Sequence, residues 1–248
     1  MGEPVRYERV GAAAVLTIDR PERRNAIDGP TAERLAAAYA AFAADDEARV
    51  LVVTGAGGAA FCAGADLKAI GTFAPRLHDP GGPLGFTRRI PAKPAIAAIE
   101  GWCLAGGLEL ALWCDLRVAT PASTFGCSER RWGVPLIDGG TQRLPRAIGM
   151  ARALDLILTG RTIAAAEALE IGLLTRVADD ALAAAIALAE EIAAFPQDTV
   201  RSDRQAALEG FGLPLSEGLA LEAELGRERI VTAIDGAKRF RERPRQDP

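Results

Sequence analysis

Two glutamates twenty residues apart, Glu109 and Glu129, are the acidic groups best placed to do chemistry. Glu109 lies in GWCLAGGLELALWCD, residues 101–115, where a buried-strand pattern gives way to Gly106-Gly107 and then a Leu/Ala-rich stretch that reads as an amphipathic helix. Main-chain N–H groups at a helix start have no partner within the helix and suit a developing negative charge. Glu109 follows Gly106 by three residues, so one helical turn carries its carboxylate back over that same end. It fits either a partly buried acid/base or a partner of the helix dipole. Glu129 lies in STFGCSERRWGVPLIDGGTQRLPR, residues 123–146, after an aromatic-Gly pair, where an ion pair with Arg130 or Arg131 is the plainer alternative. In the same segment Asp138 precedes Gly139-Gly140-Thr141, a context that suits a turn, with Thr141 able to cap a helix.

An earlier loop, GAGGAAFCAGADL at residues 55–67, also follows an apolar strand. Gly55, Gly57 and Ala60 fit GxGxxA, the fingerprint of a dinucleotide site. Two features oppose that reading. Gly64 falls where the Rossmann helix should be running, and the acid about twenty residues on would be Asp79, away from any strand end. The run Cys62-Ala63-Gly64-Ala65-Asp66 reads better as a close-approach turn into a helix, offering a second set of unpaired amides.

Composition narrows the chemistry further. The chain of 248 residues has one histidine, His78, in the Pro/Gly-rich PRLHDPGGPLG, where it reads as a solvent-exposed loop residue. Zinc sites of several His or paired Cys and nucleophilic systems with a His base are therefore disfavoured, and no metal is expected. Cys62, Cys103, Cys114 and Cys127 form no CxxC pair and sit among apolar residues, which suggests reduced thiols in a cytoplasmic enzyme. A net charge of −4 gives nucleic acid no electrostatic case. No apolar run reaches the ~18 residues a membrane span needs, and the N-terminus has no signal or transit character.

The elements that would hold these loops follow from periodicity. Residues 13–19, 48–55, 92–101 and 115–120 read as strands, mostly buried on both faces. Residues 31–45 read as a helix with Thr31 as N-cap, and residues 71–86 as a mobile insertion. Beyond about Gly160 strands largely give way to helices. The expectation is an α/β core followed by a helical C-terminal part.

Three signatures in order, FCAGADLKAI, AAIEGWCLAGGLELALWCD and FGCSERRWGVPLIDGGTQRLPRAIG, resemble the enoyl-CoA hydratase/isomerase (crotonase) family. The similarity continues through LTGRTIAAAEALEIGLLTRV to GAKRFRER, nearly the whole chain. The resemblance implies a crotonase-like α/β spiral of ββα turns over residues 1–190. It also implies a helical C-terminal trimerisation region over 191–248, giving a homotrimer or homohexamer.

Carried over by position, the resemblance gives the Ala65 and Gly106 amides the oxyanion hole, and Glu109 and Glu129 the two catalytic glutamates. It implies syn addition of water across a 2,3-enoyl-CoA, with CoA arriving on the substrate and no separate cofactor. CoA contacts fall to Arg24, Ala26, Ala63, Asp66 and Lys68, with Phe240 and Arg243 from the tail; Trp102 and Trp132 would line the acyl pocket. The RRWGVPLIDGG stretch departs from the usual hydratase loop: Arg130, Arg131 and Trp132 are bulky or charged, and Asp138 replaces a small residue. That keeps open an isomerase or other CoA-thioester enolate enzyme with Asp138 in the acid/base set. A non-catalytic CoA-thioester or RNA-binding protein, using the basic tail, is the third reading.

Overall fold

A computed structural model describes residues 2–242. In chain order the strands and first helices are β1 (Val5–Val10), β2 (Ala13–Ile18), α1 (Gly29–Ala44), β3 (Val50–Gly55), β4 (Ala60–Cys62), β5 (Ala95–Ile99), β6 (Trp102–Leu104), α2 (Gly106–Trp113), β7 (Leu116–Ala119) and β8 (Thr124–Gly126). Then come α3 (Gly140–Ile148), α4 (Met150–Thr159), β9 (Thr162–Ala164), α5 (Ala165–Glu170), β10 (Arg176–Val177), α6 (Ala181–Ala193), α7 (Gln197–Gly210), α8 (Leu215–Arg227) and α9 (Ile230–Glu242). One compact unit ends at Glu190 and a second begins at Glu191.

In the first unit each strand pair β3–β4, β5–β6 and β7–β8 gives one member to each of two sheets, ordered β1-β2-β3-β5-β7-β10 and β4-β6-β8-β9. Neighbours are parallel except β1–β2 and β8–β9. The central strands β2, β3 and β5 are apolar and buried almost throughout, as strands covered on both faces must be. This repeated turn is the spiral of the expected fold, and it stacks the exits of β4 and β6 beside one another.

Local details differ from expectation for physical reasons. Helix α1 is capped by Asp28, whose carboxylate accepts the Thr31 N–H at 2.9 Å and the Thr31 hydroxyl at 2.6 Å, so Thr31 is capped rather than capping. Helix α3 starts from left-handed Gly139 with no side-chain cap, so Thr141 has no such role. Helix α2 is buried around its whole circumference from Gly107 to Trp113, not amphipathic. The supposed insertion is half core. His78 is exposed, but Phe73, Leu84 and Phe86 are buried, and the Phe86 ring lies 5.0 Å from Tyr39 and 4.5 Å from Trp113. All four cysteines are buried thiols outside any disulfide.

Candidate active site

The β4 and β6 exits build the site. After β6, Ala105 takes φ +52° and ψ −126°, a conformation rare outside glycine, and turns the chain directly into α2. Gly107 then sits so close to β4 that a Cβ on it would lie 2.0 Å from the Cys62 carbonyl oxygen. Gly64, at φ +89°, brings the other loop in: a Cβ there would lie 2.7 Å from the Gly106 nitrogen. A Cβ on Gly106 would in turn lie 3.7 Å from the Ala65 nitrogen. The Ala65 and Gly106 amides thus adjoin, and neither donates to an acceptor among the described residues. Both residues line one cavity.

Glu109 lines the same cavity from the first turn of α2 and is 3% exposed. Its Oε1 accepts main-chain N–H groups of Asp138 at 2.9 Å and Gly140 at 2.8 Å. Burial pushes its carboxyl up to about 7, the charges of Asp138 and Glu129 push the same way, and the two N–H bonds offset part of the rise. Glu129 sits in the short 3-10 turn Ser128–Trp132, also buried, and neither of its carboxyl oxygens has a hydrogen-bond partner among the described residues. Its nearest cation is Arg130, 3.9 Å away, and burial holds its carboxyl above the ordinary range. Two neighbouring carboxyls without full solvation suit acid/base work near neutral pH. Among the described residues no cluster of His, Cys, Asp and Glu is arranged to hold a metal ion.

Of the residues singled out from sequence, the cavity lining gathers Ala63, Ala65, Gly106, Glu109, Glu129, Trp132 and Asp138. Trp102 is not in the lining: on β6 Cys103 faces the core, so its neighbour Trp102 faces outward, 42% exposed. Arg24 and Ala26 adjoin the β4 exit through Ala63 N–H to Arg24 carbonyl at 3.1 Å and Ile27 N–H to Gly64 carbonyl at 2.8 Å. Asp66 caps the following 3-10 turn and pairs with Arg20 at 3.2 Å, so its carboxylate is engaged within the protein. Lys68 is exposed nearby in sequence. Phe240 lies on α9 of the second unit, and Arg243 lies outside the described residues. Sequence reasoning missed Leu84, Ile70 and Phe73 of the apolar wall, and Thr87 and Arg143 behind it.

A family model for enoyl-CoA hydratase/isomerase matches residues 8–247. The chain belongs to the enoyl-CoA hydratase/isomerase family. Its fold is similar to that of enoyl-CoA hydratase EchA1 from Mycobacterium marinum, with TM-score 0.91 and 40% identity over 98% of each chain. An enoyl-CoA hydratase from Mycobacterium tuberculosis H37Rv gives TM-score 0.91 at 39% identity, covering 99% of this chain and 98% of that one. In sequence it is also 39% identical to (E)-benzylidenesuccinyl-CoA hydratase of Thauera aromatica, over 87% of this chain and 86% of the relative. Family membership and cavity therefore meet at the same loops. No helix among the described residues is long and apolar enough to cross a membrane.

Proposed function

We propose that the protein is an enoyl-CoA hydratase, a carbon-oxygen lyase that adds water syn across the 2,3 double bond of an enoyl-CoA thioester. The observation that carries the reading is the pair of Ala65 and Gly106 amides, without an acceptor among the described residues, in one cavity with Glu109 and Glu129. The two amides hold the thioester oxygen as it takes on enolate charge, a role in which one lost donor costs about 10²- to 10³-fold in rate. Glu109, ionised, takes a proton from the water that attacks C3, and Glu129 delivers one to C2. The proton lost from water and the proton gained by carbon balance across the two carboxyls, so the step asks for no metal or redox cofactor.

The wall beyond the carboxyls, including Ile70, Phe73, Leu84 and Trp132, is apolar and fits an acyl chain. CoA would lie along Arg24, Ala26, Ala63, Asp66 and Lys68, with Phe240 and Arg243 lent by another subunit. Assembly as a homotrimer or homohexamer through the second unit is supported by α8 and α9, which bury no residue and expose Leu215, Leu219, Val231 and Phe240. The four thiols, none in a disulfide, fit a cytoplasmic setting. Incubating the purified protein with 2-enoyl-CoA thioesters from short to long chain, and following both loss of the conjugated double bond and any shift of its position, tests the reading. Hydration at any chain length supports it; none above background removes it.

A further inference from the structure

Beside the cavity, residues 81–88 face the turn 137–143, and polar groups join the two with Asp138 between them. Asp138 is 3% exposed. Its Oδ1 accepts the Leu84 N–H at 3.1 Å and a short bond from the Thr87 hydroxyl. Arg143 donates to the Asp138 carbonyl at 3.0 Å and to the Thr87 carbonyl at 2.6 Å, and Arg88 donates twice to the Ile137 carbonyl, at 3.2 and 3.1 Å. The approach is close enough that a Cβ on Gly82 would lie 2.7 Å from Thr87 Oγ1 and 3.0 Å from Asp138 Oδ1. Two parts of the site hang on this junction. The Asp138 main-chain N–H is one of the two that hold Glu109 Oε1. Leu84 reaches the oxyanion loop, its Cδ1 3.1 Å from where a Cβ on Gly106 would stand.

We infer that Asp138 is a positioning residue: its carboxylate latches residues 81–88 to the 137–143 turn, with Thr87 and Arg143 completing the latch, and so fixes Glu109 and the Leu84 wall. The inference rests on the reading of Glu109 as the base. Burial raises the Asp138 carboxyl above its ordinary range, and the Thr87 and Leu84 donors, with Arg88 and Arg143 nearby, pull it part of the way back. An oxygen already engaged by two donors suits an anchor better than a proton donor. The groups that face Glu109 electrostatically are Asp138 from the turn, Arg143 from α3, and Glu129 and the Cys127 thiol after β8.

Two substitutions move Glu109 in opposite directions. Asp138→Asn keeps an acceptor oxygen for Leu84 and Thr87 but removes a negative neighbour, so the acidic limb of kcat/KM moves to lower pH. Its kcat falls no more than about threefold, because the geometry that sets the rate is kept. Thr87→Val keeps the charge and breaks the latch, so kcat falls about tenfold or more as the two amides slacken from Glu109, and the acidic limb moves to higher pH. Thr87→Ser restores both. Asp138→Ala lowers kcat further, and adding Thr87→Val to it costs nothing more, as residues acting through one junction are not additive. Thermal melts confirm that each variant is folded. An Asp138→Asn as inactive as Asp138→Ala, beside a Thr87→Val that matches the parent, makes Asp138 an acid/base group and overturns the inference. If the parent protein hydrates no 2-enoyl-CoA, it is the functional reading that fails. Carbon-13 titration of the Glu109 carboxyl then tests the latch without turnover: opposite shifts in Asp138→Asn and Thr87→Val support it, and a shared curve overturns it.

Discussion

Gly64 and Gly106 approach so closely that a methyl on the first would stand 2.7 Å from the amide nitrogen of the second and 3.0 Å from Ala105 Cβ. The obstacle is backbone, which cannot swing aside. Gly64 also holds φ +89°, which a side chain resists. Gly64→Ala is therefore expected to displace the Gly106 amide and lower kcat/KM by about 10²- to 10³-fold. It should also cost about 1–3 kcal/mol of stability through the strained backbone. Gly71→Ala, with nothing within 4 Å of the new methyl, is the control and keeps near-parental rates. Steady-state kinetics and melts of both variants check this; a fully active Gly64→Ala contradicts the oxyanion assignment.

Glu129 differs from Glu109 in that its carboxyl oxygens have no hydrogen-bond partner among the described residues. Glu129→Gln removes the transferable proton while preserving size, so kcat should fall by about 10²- to 10⁴-fold, the range of general acid/base assistance. The melting temperature should change little, since one neutral, poorly solvated polar group replaces another of the same size. Loss of turnover together with loss of fold would instead give Glu129 a structural role.

The Glu109 carboxyl, pushed up to about 7, has two consequences of opposite benefit. As a base it must be ionised, so kcat/KM should decline as pH falls through about 7. For stability the sign is reversed. The folded state binds this proton more tightly than the unfolded chain, so the contribution is complete below the ordinary 4.5 and is lost as pH rises through about 7. At about 1.4 kcal/mol per pH unit, the interval amounts to about 3 kcal/mol at pH 8. Glu109→Gln keeps an oxygen for the Asp138 and Gly140 amides, so it should be inactive yet more stable than the parent by up to about that amount at pH 8. The advantage should close towards pH 4.5, which denaturant titrations at several pH values would show.

What was legible in the sequence was what local pattern and family signature encode. Strands β2, β3 and β5 stood out because burial on both faces leaves a nearly unbroken apolar run, and β7 did so less plainly, its run broken by half-buried Arg117, whereas β1, with Arg6, Glu8 and Arg9 exposed, carries no such mark. The two small-residue loops were legible as close-approach turns after buried strands. Caps were misplaced by a few residues because Asp28 and Thr31, or Gly139 and Thr141, offer equally good local chemistry and only the entering chain decides between them. Trp102 and Trp132 look alike in sequence, and only the facing of a short strand separates them. The contacts of Thr87 and Arg143 join residues more than fifty positions apart, for which a single chain carries no local signal.

Asn25 illustrates a polar residue whose work is structural although it lies next to Arg24, which the family resemblance assigns to CoA. It is fully buried at φ +55°, its Oδ1 accepts the Arg20 N–H at 2.9 Å, and its Nδ2 donates to the Ala56 and Ala60 carbonyls at 2.9 and 2.6 Å. Asn25→Ala would strand these three main-chain groups, at about 1–3 kcal/mol for each one left buried and unpaired, and should cost about 3 kcal/mol or more. Asn25→Asp is the sharper probe. It keeps the acceptor for Arg20 but turns the donor that faces two carbonyls into an anionic oxygen, so at pH 8 it should be less stable than Asn25→Ala. Protonation restores one donor, which raises the folded-state pKa of the new carboxyl. The stability it contributes is then present at low pH and lost as pH rises, so the gap between the two variants should narrow on acidification. Because Ala63 donates to the Arg24 carbonyl and Ile27 to the Gly64 carbonyl, loosening at Asn25 also reaches the Ala65 amide. Turnover of the folded fraction should therefore fall in both variants; two fully active variants would detach this staple from the oxyanion loop.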